Sequence, residues 1–355
     1  MTTLPNTRCD VCNRGDLLFG IEIEGISYRQ CTECHSILAD PTALIDCEVQ
    51  TYDDNYWSSE IISSRERAWA TSLMRVAEVF ALAGIPIERF LDISSGAGLL
   101  LEATGRLLPE LRHCFYGSEP FPPPPAWRTT HENYRVGQIV DLDLRFDGGV
   151  CIEVIEHLFP ETLRGLLKQL AKRSNPGALY YFNSAQPIFV KNHQYEYLDP
   201  LRRGHIASYS VEGMKALFSE TGFMVYEIPG REWGFFAEYD PGLAGLAETP
   251  LDRLWRPLPA NMALLKGCQF GEFFYYVGRD AIRCEIEMAH AQNTARWALT
   301  LDQEIKQGTE RFEQELKKKN DQLNAIMSSS SWRATAPLRE IVDGAKSLIL
   351  RRRSF

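Results

Sequence analysis

Apolar and polar residues follow two different rhythms along most of this chain. "RERAWATSLMRVAEVFALAG" (residues 65–84) places its apolar residues at helical spacing and predicts a helix closed by Gly84. "RFLDIS" (89–94) is short and apolar, as a buried strand requires, and "GLLLEATGRLL" (98–108) returns to the helical period. Further strands are predicted at "HCFYGSEP" (113–120), "FDGGVCIEV" (146–154) and "ALYYFNSA" (178–185). Helices are predicted at "ETLRGLLKQLAKR" (161–173) and at "SVEGMKALFSETG" (210–222), where Ser210 serves as N-cap. "FMVYEI" (223–228) and "CQFGEFFYYVGR" (268–279) read as the last two strands. Residues 230–267 between them read as an insertion suited to a substrate lid. Strands alternating with helices predict an α/β fold with a doubly wound, mostly parallel sheet covered on both faces.

The chain has 355 residues, 45% apolar and 24% charged, an ordinary balance for a soluble globular protein. Four regions are expected: 1–45 with paired cysteines, 46–281 with the α/β pattern, 282–327 as a polar helix, and 328–355 as a Ser-rich linker and basic tail. A net charge of −9 argues against general nucleic-acid binding, which needs a basic face. The opening MTTLPNTRC lacks a basic segment followed by an apolar run, so no signal peptide is expected, and no apolar stretch is long enough to span a membrane. Nine cysteines, four of them closely paired, suit a reducing cytoplasm with one metal site.

"LDISSGAGLLLE" (91–102) joins a strand to a helix through Gly96 and Gly98, and such a turn brings backbone close to a cofactor. A dinucleotide fingerprint needs a third glycine where Leu101 stands, so this is a poor nicotinamide site. Aligned on Asp92, the turn resembles motif I of the class I S-adenosylmethionine (SAM) methyltransferases, D-x-G-x-G-x-G, with Ser94 in the first glycine position. Glu119, in "GSEP", ends the next strand, where a carboxylate can accept both ribose hydroxyls. "FDGGVCIEVIEHL" resembles that family's fourth strand and following loop, in a subgroup reading EVLEHL. "SNPGALYYFNSA" and "RRGHIASYSVEGMKALFSETGF" resemble its later segments. The resemblance spans about 220 residues with the motifs in order. It implies a seven-stranded Rossmann-like sheet that binds SAM through Asp92, Ser94, Gly96, Gly98, Glu119 and Glu153.

Cys9-x-x-Cys12 and Cys31-x-x-Cys34 have the spacing of a zinc ribbon, and a structural zinc is expected on the four thiolates. His35 is adjacent but surplus to a closed tetrahedral site. "YDDNYWSSEIISSRERAW" (52–69) after the paired cysteines reads equally as a cofactor cover of aromatics and acids or as a linker packed by its aromatics.

Glu153, Glu156 and His157 should lie beyond the end of a central strand, where acceptor and methyl meet. A hydroxyl acceptor needs a base or a Lewis acid, and His157 is the natural base, with Glu156 and His205 as further catalytic candidates. The E-x-x-E-H spacing with a distant histidine also looks like the small-RNA 2′-O-methyltransferases. That resemblance implies a Mg or Mn ion on Glu153, Glu156, His157 and His205. A purely structural alternative has Glu156 and His157 capping the next helix while His205 orders a loop.

Leu301, Ile305, Phe312, Leu316, Leu323 and Ile326 form a helical apolar stripe, interrupted by Gly308, that fits a short coiled coil and a homo-oligomer. "SSSSWRATAPLRE" resembles a segment recurring in proteins of bacterial surface-polysaccharide assembly. Residues 333–355 carry a charge of +4 among apolar residues, suited to an anionic membrane surface or to contact with glycan-assembly proteins. The reading is a cytoplasmic SAM-dependent O-methyltransferase, peripheral at the inner membrane face, acting on a sugar hydroxyl of a surface polysaccharide or its precursor. The alternatives are a methyltransferase for a small molecule or nucleotide sugar, and a non-catalytic SAM-binding scaffold.

Overall fold

The computed structural model describes residues 8–44, 54–244 and 248–352. Residues 1–7, Cys47, Tyr52, Asp53, Arg353 and the tail side chains from 347 onward, on which parts of the sequence reading fall, lie outside the described residues. The chain divides into two compact units, Met1–Ala289 and His290–Phe355.

The first unit opens with a small antiparallel sheet of β1 (Leu17–Ile23), β2 (Ile26–Cys31) and β3 (Ile37–Ala39). The helical segment after it starts earlier than the apolar period indicates. α1 (Asp54–Arg67) runs through a π-helical turn at Ala68–Ser72 into α2 (Leu73–Leu82). Among its described residues α1 buries only Trp57 and Ile61, in a small apolar cluster, and presents serines, Glu60 and Arg67 to a cavity, so apolar spacing missed it.

Then follow β4 (Phe90–Ile93), α3 (Leu99–Leu107), β5 (Phe115–Glu119), β6 (Tyr134–Val136), β7 (Phe146–Ile152), α4 (Pro160–Lys172), β8 (Ser174–Asn183), α5 (Pro187–Asn192), β9 (Ala207–Ser208), α6 (Val211–Ser219), β10 (Phe223–Glu227), β11 (Gly234–Tyr239), α7 (Pro259–Lys266) and α8 (Gly271–Ser328). The large sheet has the order β10-β11-β8-β7-β4-β5-β6. Strands β6, β5, β4, β7 and β8 are parallel, and β11 is antiparallel to both of its neighbours. The chain leaves β4 toward β5 and β6, then returns to β7 on the other side. The switch point therefore lies between β4 and β7.

Two expectations are corrected. The last strand is β11, inside the segment read as a lid, and the run at 268–279 opens α8 instead. In α8 the buried residues Phe274, Tyr275, Gly278, Ile282 and Ala289 recur at helical spacing. The dense aromatics in "EFFYYV" imitate a strand, but Gly278 lets α8 cross α2 closely: a Cβ there would sit 2.4 Å from the Ala77 carbonyl carbon. Every residue of β11 from Gly234 to Glu238 is buried, as expected of a strand with neighbours on both sides.

Two buried ion pairs tie the return segments to the neighbouring helices and to β11. Arg231 donates to both carboxylate oxygens of Glu78 on α2 at 2.7 and 2.8 Å, and to Glu285 on α8. Arg253 donates to Glu238 on β11 and to the Leu82 carbonyl. The second unit holds the rest of α8, α9 (Ser330–Ala334) and α10 (Ala336–Arg352). All six stripe residues are exposed. The "SSSSWRATAPLRE" segment is self-braced: Ser329 caps α9, and the Arg339 guanidinium lies 3.7 Å over the Trp332 ring while donating to its carbonyl.

The Arg231 cluster holds the most buried of these charges, and losing Glu78 leaves Arg231 only the partly exposed Glu285. Glu78→Ala is expected to cost about 3–5 kcal/mol of unfolding free energy in urea titrations, several times more than removal of an exposed pair such as Lys215–Glu212.

Candidate active site

A cavity of about 660 Å³ opens at the carboxyl ends of β4 and β7. Its walls bring together Asp92, Ser94, Ser95 and Gly96 after β4 with Glu153 and His157 after β7, and add His205 from the loop before β9. Tyr56, Trp57, Glu60, Ser63, Ser64 and Arg67 line it from α1. The aromatics and Glu60 of α1 sit where the sequence suggests a cofactor cover, while the serines beside them carry no such signal. Arg202 and Arg203 also line the cavity and were not anticipated.

The turn after β4 has the geometry its glycines imply. Ser94, Gly96 and Gly98 all have positive φ, at 54°, 55° and 77°. Ser94 thus adopts a glycine-like conformation at a cost of about 1–2 kcal/mol. A Cβ on Gly98 would fall 2.2 Å from Thr129 Cγ2, so only glycine fits. No side chain caps the start of α3.

Gly98 and Glu119 do not line the cavity. Glu119 spends its carboxylate on the Gly96 N–H at 2.7 Å and the Phe121 N–H at 2.8 Å, so here it braces the turn. Burial raises it, and burial followed by the Glu119 charge raises Asp92 to about 8. Two buried polar atoms on the cavity wall, Trp57 Nε1 and Ser95 Oγ, have no hydrogen-bond partner. Unspent donors and buried acids suit a polar, cationic ligand such as SAM.

On the β7 side, Glu153 also has positive φ, 54°, and Asn183 clamps it: Glu153 N donates to Asn183 Oδ1 at 2.7 Å and Asn183 Nδ2 returns a bond to Oε1 at 2.8 Å. Glu156 is fully buried, with Glu153 and Tyr197 beside its carboxyl and no well-formed hydrogen bond on either oxygen. Burial, then the neighbouring Glu153, pushes it well above the carboxylate range. The His157 and His205 rings meet edge to face at 5.0 Å. His157 Nδ1 donates to the Gly204 carbonyl at 3.1 Å, and His205 Nδ1 to the Tyr197 carbonyl at 2.8 Å. Burial lowers both, His205 to about 4, so both are neutral at pH 7 with Nε2 unprotonated. One ligand atom each of Glu156, His157 and His205 falls within a 4.8 Å span.

The four ribbon cysteines are buried together, their sulfurs all within 4.8 Å of one another. Cys9 and Cys34 are 3.9 Å apart, and Cys12 and Cys31 are 3.7 Å apart. A tetrahedral ion with bonds of about 2.3 Å requires sulfurs about 3.8 Å apart, so the residues fit zinc. His35 is not in the cluster.

Residues 61–228 match the family model for a methyltransferase domain. The match covers just under half of the chain and marks this segment as a methyltransferase domain. It contains every cavity element except the start of α1. No curated protein matches the chain. Similar solved structures include CalS10 of Micromonospora echinaspora, an amino pentose methyltransferase involved in calicheamicin biosynthesis, at 16% identity and a TM-score of 0.40 over 53% of this chain and 98% of that one. DesVI of Streptomyces venezuelae is similar at 14% identity and a TM-score of 0.40, over 54% of this chain and all of that one. The O-methyltransferase NcsB1 from neocarzinostatin biosynthesis shows 15% identity and a TM-score of 0.38, over 53% of this chain and 58% of that one.

The raised Asp92 gives the methyltransferase domain a pH signature. Between its ordinary value of 3.8 and about 8, the folded chain holds a proton there that the unfolded chain has released. Stability from this group is therefore full below that window and lost as pH rises through it. Asp92→Asn is expected to flatten the decline of stability between pH 5 and 8 in ligand-free protein. Parallel wild-type and variant curves would show that another group titrates.

Proposed function

We propose that this chain is an O-methyltransferase that transfers the methyl group of SAM to a sugar hydroxyl of a bacterial surface polysaccharide or its precursor. The observation that carries the O-methylation reading is the neutral His157 imidazole on the cavity wall, its Nδ1–H held by Gly204 and its Nε2 lone pair free. SAM supplies an electrophilic methyl on a sulfonium. His157 Nε2 would take the proton of the acceptor hydroxyl as its oxygen is methylated. Glu153 and the turn at 94–98 would hold the cofactor's polar groups, and its cationic end would draw Asp92, which burial raises to about 8, into its charged form. The acceptor class is supported by the C-terminal segment that resembles proteins of polysaccharide assembly.

A second reading is favoured by one observation, the buried carboxyl of Glu156 beside two histidines whose free nitrogens point to metal-ligand chemistry. There Glu156, His157 and His205 would hold a divalent ion that activates the hydroxyl as a Lewis acid. One set of assays separates the two readings. The acceptor is glycan extracted from cells lacking the protein, and product is read by mass spectrometry. With His157 as base, His157→Ala lowers the rate about 10²–10⁴-fold with SAM binding intact, and added Mg²⁺ or Mn²⁺ changes nothing. With a divalent ion, Mn²⁺ raises the melting temperature of the wild type but not of Glu156→Gln, and Glu156→Gln is as damaging as His157→Ala. A His157→Ala, His205→Ala double variant with wild-type rate would eliminate both.

We also propose that the cysteine cluster holds a structural zinc. Elemental analysis is expected to return about one zinc per chain, and Cys31→Ser to release it. Fully folded, metal-free protein with all four thiols reduced would overturn this.

A further inference from the structure

The ribbon does not stand apart from the methyltransferase domain. Its sheet is completed by β9, which lies some 170 residues further along the chain: Ile37 pairs with Ser208 and Leu38 with Ala207. β9 is the continuation of the loop that carries His205. The Ala39 N–H donates to the Ile206 carbonyl at 2.8 Å, and the Ile206 N–H donates to the Glu156 carbonyl at 2.9 Å. The backbone next to His205 is thus held between the ribbon on one side and the loop after β7 on the other.

One ribbon side chain reaches His205 itself. Tyr28, in the middle of β2, is fully buried, and its hydroxyl donates to the His205 carbonyl at 2.7 Å. The imidazole of the same residue is held from the domain side, through Nδ1 to the Tyr197 carbonyl and by the Tyr197 ring, 4.4 Å between centroids. Two anchors on one residue, one on its peptide and one on its ring, fix both position and orientation. The Tyr28 anchor is only as firm as the strand that carries it. β2 ends at Cys31, and the metal-binding knuckle is bonded back to the domain: the Ser210 hydroxyl donates to the Cys34 carbonyl, and the Ser210 N–H donates to Ser36 Oγ at 3.1 Å. Gly213 on α6 leaves room for this docking, since a Cβ there would press on Ser36 and Val11.

We infer that the ribbon is a working part of the active site and that Tyr28 is the residue through which it positions His205. This rests on the reading of His205 as part of the reacting face. A tyrosine that merely filled the core would keep its packing as phenylalanine. Tyr28→Phe preserves the ring and removes only the bond to His205, leaving a buried carbonyl without its donor.

The test uses the zinc-loaded full chain and has two arms. In the first, hydrogen exchange read by mass spectrometry needs no acceptor. Tyr28→Phe is expected to speed exchange in the peptide spanning 203–209 about tenfold and to leave β4 and β7 protected as in the wild type. In the second, methyl transfer from labelled SAM to glycan extracted from cells lacking the protein is measured at saturating glycan. The rate is expected to fall about tenfold with the KM for SAM unchanged. In a His205→Ala background, Tyr28→Phe is expected to cause no further loss, because the residue it serves is already gone. Unchanged exchange together with an unchanged rate overturns the inference, as does an equal loss of rate in both backgrounds. If His205→Ala itself retains the wild-type rate, or if the glycan is not a substrate, the reading of His205 or of the acceptor falls instead. The exchange arm then decides the positioning on its own.

Discussion

Four carboxyl groups, the buried Asp92, Glu119 and Glu156 and the partly buried Glu153, gather at the carboxyl ends of β4, β5 and β7, and desolvation raises every one of them. The chemistry at the centre of the molecule depends on that concentration of acids. Two other buried acids are closed off by arginines, Glu78 by Arg231 and Glu238 by Arg253, in pairs with bonds of 2.6–3.1 Å, and buried Asp147 is held by two backbone N–H groups and Asn175. At the switch point no arginine is buried among them. Arg67 and Arg203 act on Glu153 only from the cavity wall. Acids kept without internal cations are costly, and they are tolerated where a ligand supplies the charge. Glu119 shows the intermediate solution, with two backbone N–H groups standing in for a cation.

Much of this could be read from the chain before any coordinates. Asp92, Gly96 and Gly98 announce a turn because only glycine tolerates the angles and the approach to Thr129, and that requirement is local. Cys9, Cys12, Cys31 and Cys34 announce their cluster because two short knuckles are also local. What stayed hidden is what depends on partners far along the chain. β9 is two residues long and exists only because β3 pairs with it. Glu119 occupies the expected place in sequence, yet its carboxylate turns to Gly96 and Phe121. β11 and the start of α8 were exchanged because an aromatic run has the composition of a strand, and it is the crossing at Gly278 and Ala77 that makes it a helix. α1 was cut short because a helix lining a polar cavity carries serines where apolar spacing would otherwise mark it.

The two sides of the cavity share a further feature, one that bears on how the site keeps its shape. Ser94 after β4 and Glu153 after β7 both have φ of 54°, a conformation side-chain-bearing residues take at a cost of about 1–2 kcal/mol. β4 and β7 are neighbours in the sheet, so both strained residues stand at the same crevice. Each is held by its surroundings: Glu153 by the two bonds to Asn183, and the turn at Ser94 by Ser95 N–H on the Ser118 carbonyl at 3.1 Å together with Glu119 on Gly96. The reversal at each strand end sends the chain away from the sheet at once and leaves the crevice open above it. His157 follows the second reversal by four residues and reaches back to the cavity, where the ribbon-held His205 meets it. Both strained residues line the cavity that opens there. The strain is thus the cost of an open switch point, borne by residues that neighbouring strands and turns hold in place.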